Sequence, residues 1–188
     1  RRSAVKAKTQ AINQIRAMLV SAPQDVREKL WRIKATDCAK ACAAVRSLGD
    51  TAVLRALSTT LKSLAKRWLA LTEELKDYDK QLETLTQKHA QQLRSRFGVG
   101  PQTAAILLSV AGDNPNRLKS EAALASLCGA NPLPMVRMRS DPRTRVYVER
   151  RTNEGLSTKE IHRCLKRYIA RELYPLIMGD LGTMNAIP

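Results

Sequence analysis

Apolar residues recur along most of this chain at the three- and four-residue steps of an α-helix, and no segment alternates convincingly at the two-residue step of a strand. Over residues 2–20, Val5, Ile12, Ile15 and Leu19 share one stripe, while Lys6, Lys8 and Arg16 point elsewhere. Pro23 interrupts and suits the first turn of the next helix. Residues 24–34 and 37–48 predict two more short helices, with Asp37 as N-cap of the second and Gly49 at its end. From Asp50 to Phe97 there is no Gly and no Pro. Leu54, Leu57, Leu61, Leu64, Trp68, Leu71, Leu75, Tyr78, Leu82 and Leu85, then His89, step by three and four without a break. Alternation sustained beyond three heptads is the pattern of a coiled coil. A helix of some 45 residues would be about 65 Å long. Its stripe must pair with another chain or with an earlier helix folded back. These residues are therefore candidates for oligomerisation, and seam His89 for setting register.

A second pattern follows. A helix ends at Phe97, Gly98-Val99-Gly100 forms a turn, and Pro101 opens a new helix through Gln102 and Thr103. This is the layout of a helix-hairpin-helix. Its glycines let the backbone approach a phosphate, and the new helix brings N–H groups and a positive dipole end. The alternative is a tight αα-corner without a ligand. A polar loop then runs through Asp113-Asn114-Pro115-Asn116, Ser120 caps a helix reaching Cys128, and Gly129 ends it. Asn131-Pro132-Leu133-Pro134 predicts a non-helical run, and Ser140-Asp141-Pro142 a new helix start. Ser157-Thr158-Lys159-Glu160 reads as a capping box. The helix it opens carries Ile161, Cys164, Leu165, Tyr168, Ile169 and Leu173 on one face. Lys159, Arg163, Lys166, Arg167 and Arg171 lie on the other, as phosphate contacts or as a solvated charged face. Pro175 is expected to kink or end this helix, and the tail after Gly179 to fray. The fold class is all-α: a long coiled-coil helix followed by a small helical domain with a helix-hairpin-helix-like element.

Charge adds a partner class. The 188 residues hold 33 Lys+Arg against 17 Asp+Glu, a net of +16. The excess sits at both ends: residues 1–50 carry +7, residues 98–134 carry 0 and residues 135–188 carry +5. Such a balance favours a polyanion, with nucleic acid first. No stretch approaches the ~20 apolar residues of a membrane span, and no signal peptide is visible. The chain starts Arg-Arg rather than Met, which suggests a piece of something longer.

Catalytic chemistry is harder to place. Cutting DNA needs clustered carboxylates for Mg²⁺ or an activated nucleophile. The acids are scattered, many along the long helix (Glu73, Glu74, Asp77, Asp79, Glu83). Cys38, Cys42, Cys128 and Cys164 form no CxxC, His89 and His162 complete no metal spacing, and buried free thiols are the expectation. No cofactor or metal ligand is assigned.

Three stretches together resemble one family. They are Arg2 to Gln14, then Gly98-Val99-Gly100-Pro101-Gln102-Thr103-Ala104 running on to Leu127-Cys128-Gly129-Ala130-Asn131-Pro132, and finally Arg137 to Thr144 with Arg163 to Tyr168. In this order they look like the DEDD transposases of the IS-one-ten group of bacterial insertion sequences. The resemblance implies an N-terminal nuclease-like domain with four acidic Mg²⁺ ligands, a coiled coil, and a C-terminal transposase domain with a hairpin and a serine nucleophile. It also implies DNA as partner, a structured guide ("bridge") RNA in some members, and assembly as dimers or tetramers. The chain would comprise 1–49 basic helices, 50–97 coiled coil and 98–188 transposase-like domain, acting in the bacterial cytoplasm at the nucleoid. Two departures follow. The acidic domain is absent, and Pro134 joins Met135 where the family's serine-bearing stretch would lie, giving an apparent gap at 134/135. No catalytic residue is therefore carried over, Ser140 included, and this chain alone is expected not to cut or join DNA. The candidate nucleic-acid contacts are Gly98, Val99, Gly100, Gln102, Thr103, Lys6, Lys8, Arg137, Arg139, Arg143, Lys159, Arg163, Lys166, Arg167 and Arg171. A stand-alone helical nucleoid or repressor-like protein is the competing reading.

Overall fold

The computed structural model describes residues 1–112, 118–127 and 133–185. Among them there are ten helices and no strand, so the all-α expectation holds. The chain divides into two compact units, Arg1–Tyr78 and Asp79–Pro188, and the boundary falls inside one helix.

The first unit contains α1 (Arg2–Val20), α2 (Gln24–Leu30), α3 (Ala35–Ala43) and the first turns of α4 (Ala52–His89). Its core is aliphatic: Ile12, Ile15 and Leu19 from α1, Val26 and Leu30 from α2, Cys38, Ala39 and Cys42 from α3, and Leu61, Ala65 and Trp68 from α4. Each fully buried Leu or Ile contributes about 1.5–3 kcal/mol, so these stripes hold the short helices in place. The Lys8 ammonium sits 4.6 Å from the Trp68 ring centroid. Cys38 and Cys42 are free thiols inside this core, where burial pushes Cys42 up to about 12. Asp37 does not cap α3. Lys34 holds that position, and Asp37 lies in the first turn, where its charge still favours the helix dipole. α3 ends at Ala43, before Gly49.

This core corrects the expectation for the long stripe. Leu61 and Trp68 are buried, and Leu54, Leu57 and Leu64 pack against the same cluster. The chain's own short helices cover this part of the seam, the second of the two covers expected for it. A heptad pattern specifies that a stripe is covered, not by what. Further along, Leu75 is buried, Leu71, Tyr78, Leu82 and His89 are half-buried, and Leu85 is exposed.

The second unit takes the end of α4, then α5 (Gln91–Arg94), α6 (Pro101–Gly112), α7 (Glu121–Leu127), α8 (Leu133–Ser140), α9 (Pro142–Asn153) and α10 (Thr158–Asn185). α4 stops at His89, short of the expected Phe97, because Ala90 (φ −134, ψ 38) leaves the helix. α10 packs against α5, α6, α7, α8 and α9, and Leu173 and Ile177 sit in the core with Leu93, Ala104, Leu107, Leu124 and Leu133. α10 also corrects the reading of its tail. It runs through Pro175 to Asn185, held on both sides of the proline by buried Leu173 and Ile177. Buried Asp180 accepts the backbone N–H groups of Gln92 (3.2 Å) and Leu93 (3.1 Å), closing the start of α5. Leu133 and Pro134 are likewise helical, as the first turn of α8. A proline fits there because that N–H has no intrahelical acceptor. α8 runs unbroken across Pro134–Met135. The expected Asp113–Asn116 loop, the helix end at Cys128–Gly129 and the Asn131–Pro132 pair lie outside the described residues.

Candidate nucleic-acid interface

The turn between α5 and α6 is built by packing as much as by its glycines. Gly98 has φ +79, which L side chains rarely adopt, and a Cβ there would meet Leu133 Cδ1 at 2.8 Å. Val99 is buried in the core, and its N–H bonds the Arg96 carbonyl at 3.1 Å. Gly100 has open space where a Cβ would be, and its carbonyl accepts the first helical bond of α6 from Ala104. In α6, Gln102 is exposed and Thr103 half-buried. Gly98 is thus explained by backbone conformation and by α8. Gly100 alone keeps the open approach expected of both.

Arg137 has a different position from the one expected. It is 7% exposed. Its Nη1 and Nη2 reach Glu172 of α10 at 2.5 and 3.2 Å, and its Nε donates to the Phe97 carbonyl at 3.1 Å. The guanidinium ties the turn, α8 and α10 together, so Arg137 is corrected from a phosphate contact to a fold contact. Beside it, Ser95, Arg96 and Phe97 form one wall of a groove of about 510 Å³, whose other walls are α8, α9 and α10.

α9 and α10 have well-defined ends. Asp141 caps α9 by accepting the Thr144 N–H (3.3 Å) and hydroxyl (2.5 Å). Gly155, at φ +88, closes the other end, with its N–H on the Thr152 carbonyl. The capping box forms: Ser157 N–H reaches Glu160 Oε2 at 2.9 Å, and the Glu160 N–H reaches Ser157 Oγ at 3.4 Å. The Ser157 hydroxyl, then its N–H, hold the Glu160 carboxyl below its ordinary range. Partial burial, then the Cys164 thiol, push the Tyr147 phenol up.

With both ends fixed, the pair displays cations. Arg143, Lys159, Arg163 and Arg167 are exposed, Lys166 is half-buried, and exposed Arg171 lies 3.4 Å from Glu121. Arg139 is exposed on α8. Sequence reasoning missed Arg145 and Arg150, both exposed on α9, although their spacing from Arg143 was readable. It also missed Arg96. Exposed Lys6 and the Trp68-bound Lys8 belong to the first unit, apart from this set.

Residues 90–136 match the model of the Transposase IS116/IS110/IS902 family. The matched residues cover α5, the turn after it, α6, α7 and the start of α8, and the stretch from Gly98 to Pro132 that carries the resemblance lies within them. The basic α9–α10 pair lies beyond the matched residues. No curated protein and no solved structure matches the chain. Among the described residues, no group of three or more His, Cys, Asp and Glu could hold a metal. No described helix is long and apolar enough to cross a membrane.

Proposed function

We propose that this chain is the nucleic-acid-gripping portion of a DNA transposase, and that it holds phosphates through the exposed cations of α8–α10. The observation that carries the reading is the set Arg139, Arg143, Lys159, Arg163 and Arg167 on α8, α9 and α10, all exposed, in the same unit as a segment that matches a transposase family. Cations on rigid helices grip a backbone without reading bases. A structured RNA offers the same phosphates, so a guide RNA fits the same face. The test is a salt titration of binding to two unrelated duplexes and one structured RNA. Affinity should fall linearly on a log-log plot by about 0.9 per phosphate neutralised. Replacing Arg163 and Arg167 with Gln should weaken all three alike and flatten the slope by up to about 2. An unchanged slope would remove this face from the interface, and loss on one sequence only would mean base readout.

A further inference from the structure

The groove beside the Arg137–Glu172 pair is unusual for this chain. The sequence has one Phe, two Trp and four Tyr, and Phe97, Tyr147 and Tyr168 all line this groove. The core does not require the two outer rings: Phe97 is 48% and Tyr168 57% exposed. Tyr147 and Tyr168 meet edge to face, with centroids 5.8 Å apart, which fixes the Tyr168 ring at the groove wall. Isolated exposed aromatics are ordinary. Here three of the chain's seven aromatic side chains line one cleft.

Its charges complete the description. Arg137 and Glu172 neutralise each other, and Asp141 is occupied by Thr144. Arg143 makes no ion pair among the described residues, and Arg96 reaches Glu172 only at 3.9 Å. Two available cations thus stand beside exposed rings in a cleft of about 510 Å³, within the ~300–1,000 Å³ typical of small-ligand sites.

We propose that this groove holds an unpaired nucleotide of a single strand, with its base against the Phe97 and Tyr168 rings and its phosphate on Arg96 and Arg143. Bases within a duplex are already stacked on one another and cannot present a free face. Every base has a π-face, so the groove would select strand state rather than sequence. The inference rests on the phosphate-gripping reading and adds to it the kind of strand. DNA and RNA share this chemistry.

The test uses the whole chain and fluorescence anisotropy with oligo(dT), oligo(U) and a duplex. Tyr168→Ala and Phe97→Ala should each weaken single-strand binding about tenfold while leaving duplex binding within about twofold, and Tyr168→Trp should restore it. Both rings are half exposed, so the alanine variants should keep wild-type circular dichroism; Tyr168→Trp covers a Tyr168→Ala that does not, and Phe97→Leu a Phe97→Ala that does not. Tighter binding of oligo(U) would assign the groove to RNA, and of oligo(dT) to DNA. Equal loss on duplex and single strand, or no loss on either single strand, would overturn the groove and leave the phosphate reading standing. If no salt-dependent binding occurs at all, both readings fail.

Discussion

Replacing Arg137 with Met should loosen the second unit without reducing the number of phosphates the chain neutralises. The Arg137 side chain is 9% exposed and donates twice to Glu172 and once to the Phe97 carbonyl. Hydrogen bonds to charged groups contribute about 1.5–3 kcal/mol each. The Glu172 side chain is 35% exposed, so water recovers part of its carboxylate in the variant, and Met retains the packing of the aliphatic stem. The net loss should be about 2 kcal/mol. Glu172→Gln should cost more, about 3 kcal/mol, because it leaves a buried guanidinium without its counter-charge. The double change to Met at both positions should recover most of either loss, since neither charge remains unpaired. Urea unfolding of the four proteins, followed by far-UV circular dichroism, measures the order. A salt titration of duplex binding on the same samples measures phosphates. If Arg137→Met unfolds like the wild type, its structural assignment is wrong, and a salt slope flattened by about 0.9 would make it a phosphate contact.

Gly98→Ala should destabilise by about 1–3 kcal/mol, because it combines a left-handed backbone with a close Leu133; Gly100→Ala, with open space around it, should melt within about 1 kcal/mol of wild type, and equal melting of both variants would contradict the turn geometry. Leu61→Asp should unfold the first unit, seen as red-shifted emission from Trp31 and Trp68; a folded protein of reduced mass in sedimentation would show instead that the stripe joins two chains. The Glu160 carboxyl titrates below its ordinary 4.5 when folded. Its contribution is therefore present above that value and lost as pH falls through the lower folded value. Glu160→Gln should remove that part of the acid sensitivity, and an unchanged acid profile would refute it.

What could be read from the sequence was mostly local. Asp141 and the Ser157–Glu160 box cap their helices as read, because a cap depends on residues only three apart. The long stripe was legible as a period, but its cover was not. α1 to α3 reach Leu61 and Trp68 from far away in sequence. Arg137 could not be told from Arg139, since its partner Glu172 is 35 residues away. Asp180 looked like part of a frayed tail because its role lies in α5, and Leu133–Pro134 looked like a loop because two prolines obscured a helix start. In the candidate interface, the basic row on α10 was visible at helical spacing. The aromatic groove was not, because its walls come from a turn and three helices.

Asp180 also sets an order for the birth of this protein. The amides it receives belong to residues made 87 or 88 positions earlier. At about 5–20 residues per second, the ribosome takes roughly 4–17 s to cover that interval. Until then water rather than Asp180 accepts the opening N–H groups of α5, and Leu107, Leu124 and Leu133 lack the helix that packs on them. The buried core of the first unit is drawn entirely from residues up to Trp68. The nascent chain therefore spends seconds with its beginning assembled and its later apolar faces uncovered, which is the interval in which a chaperone would have something to hold.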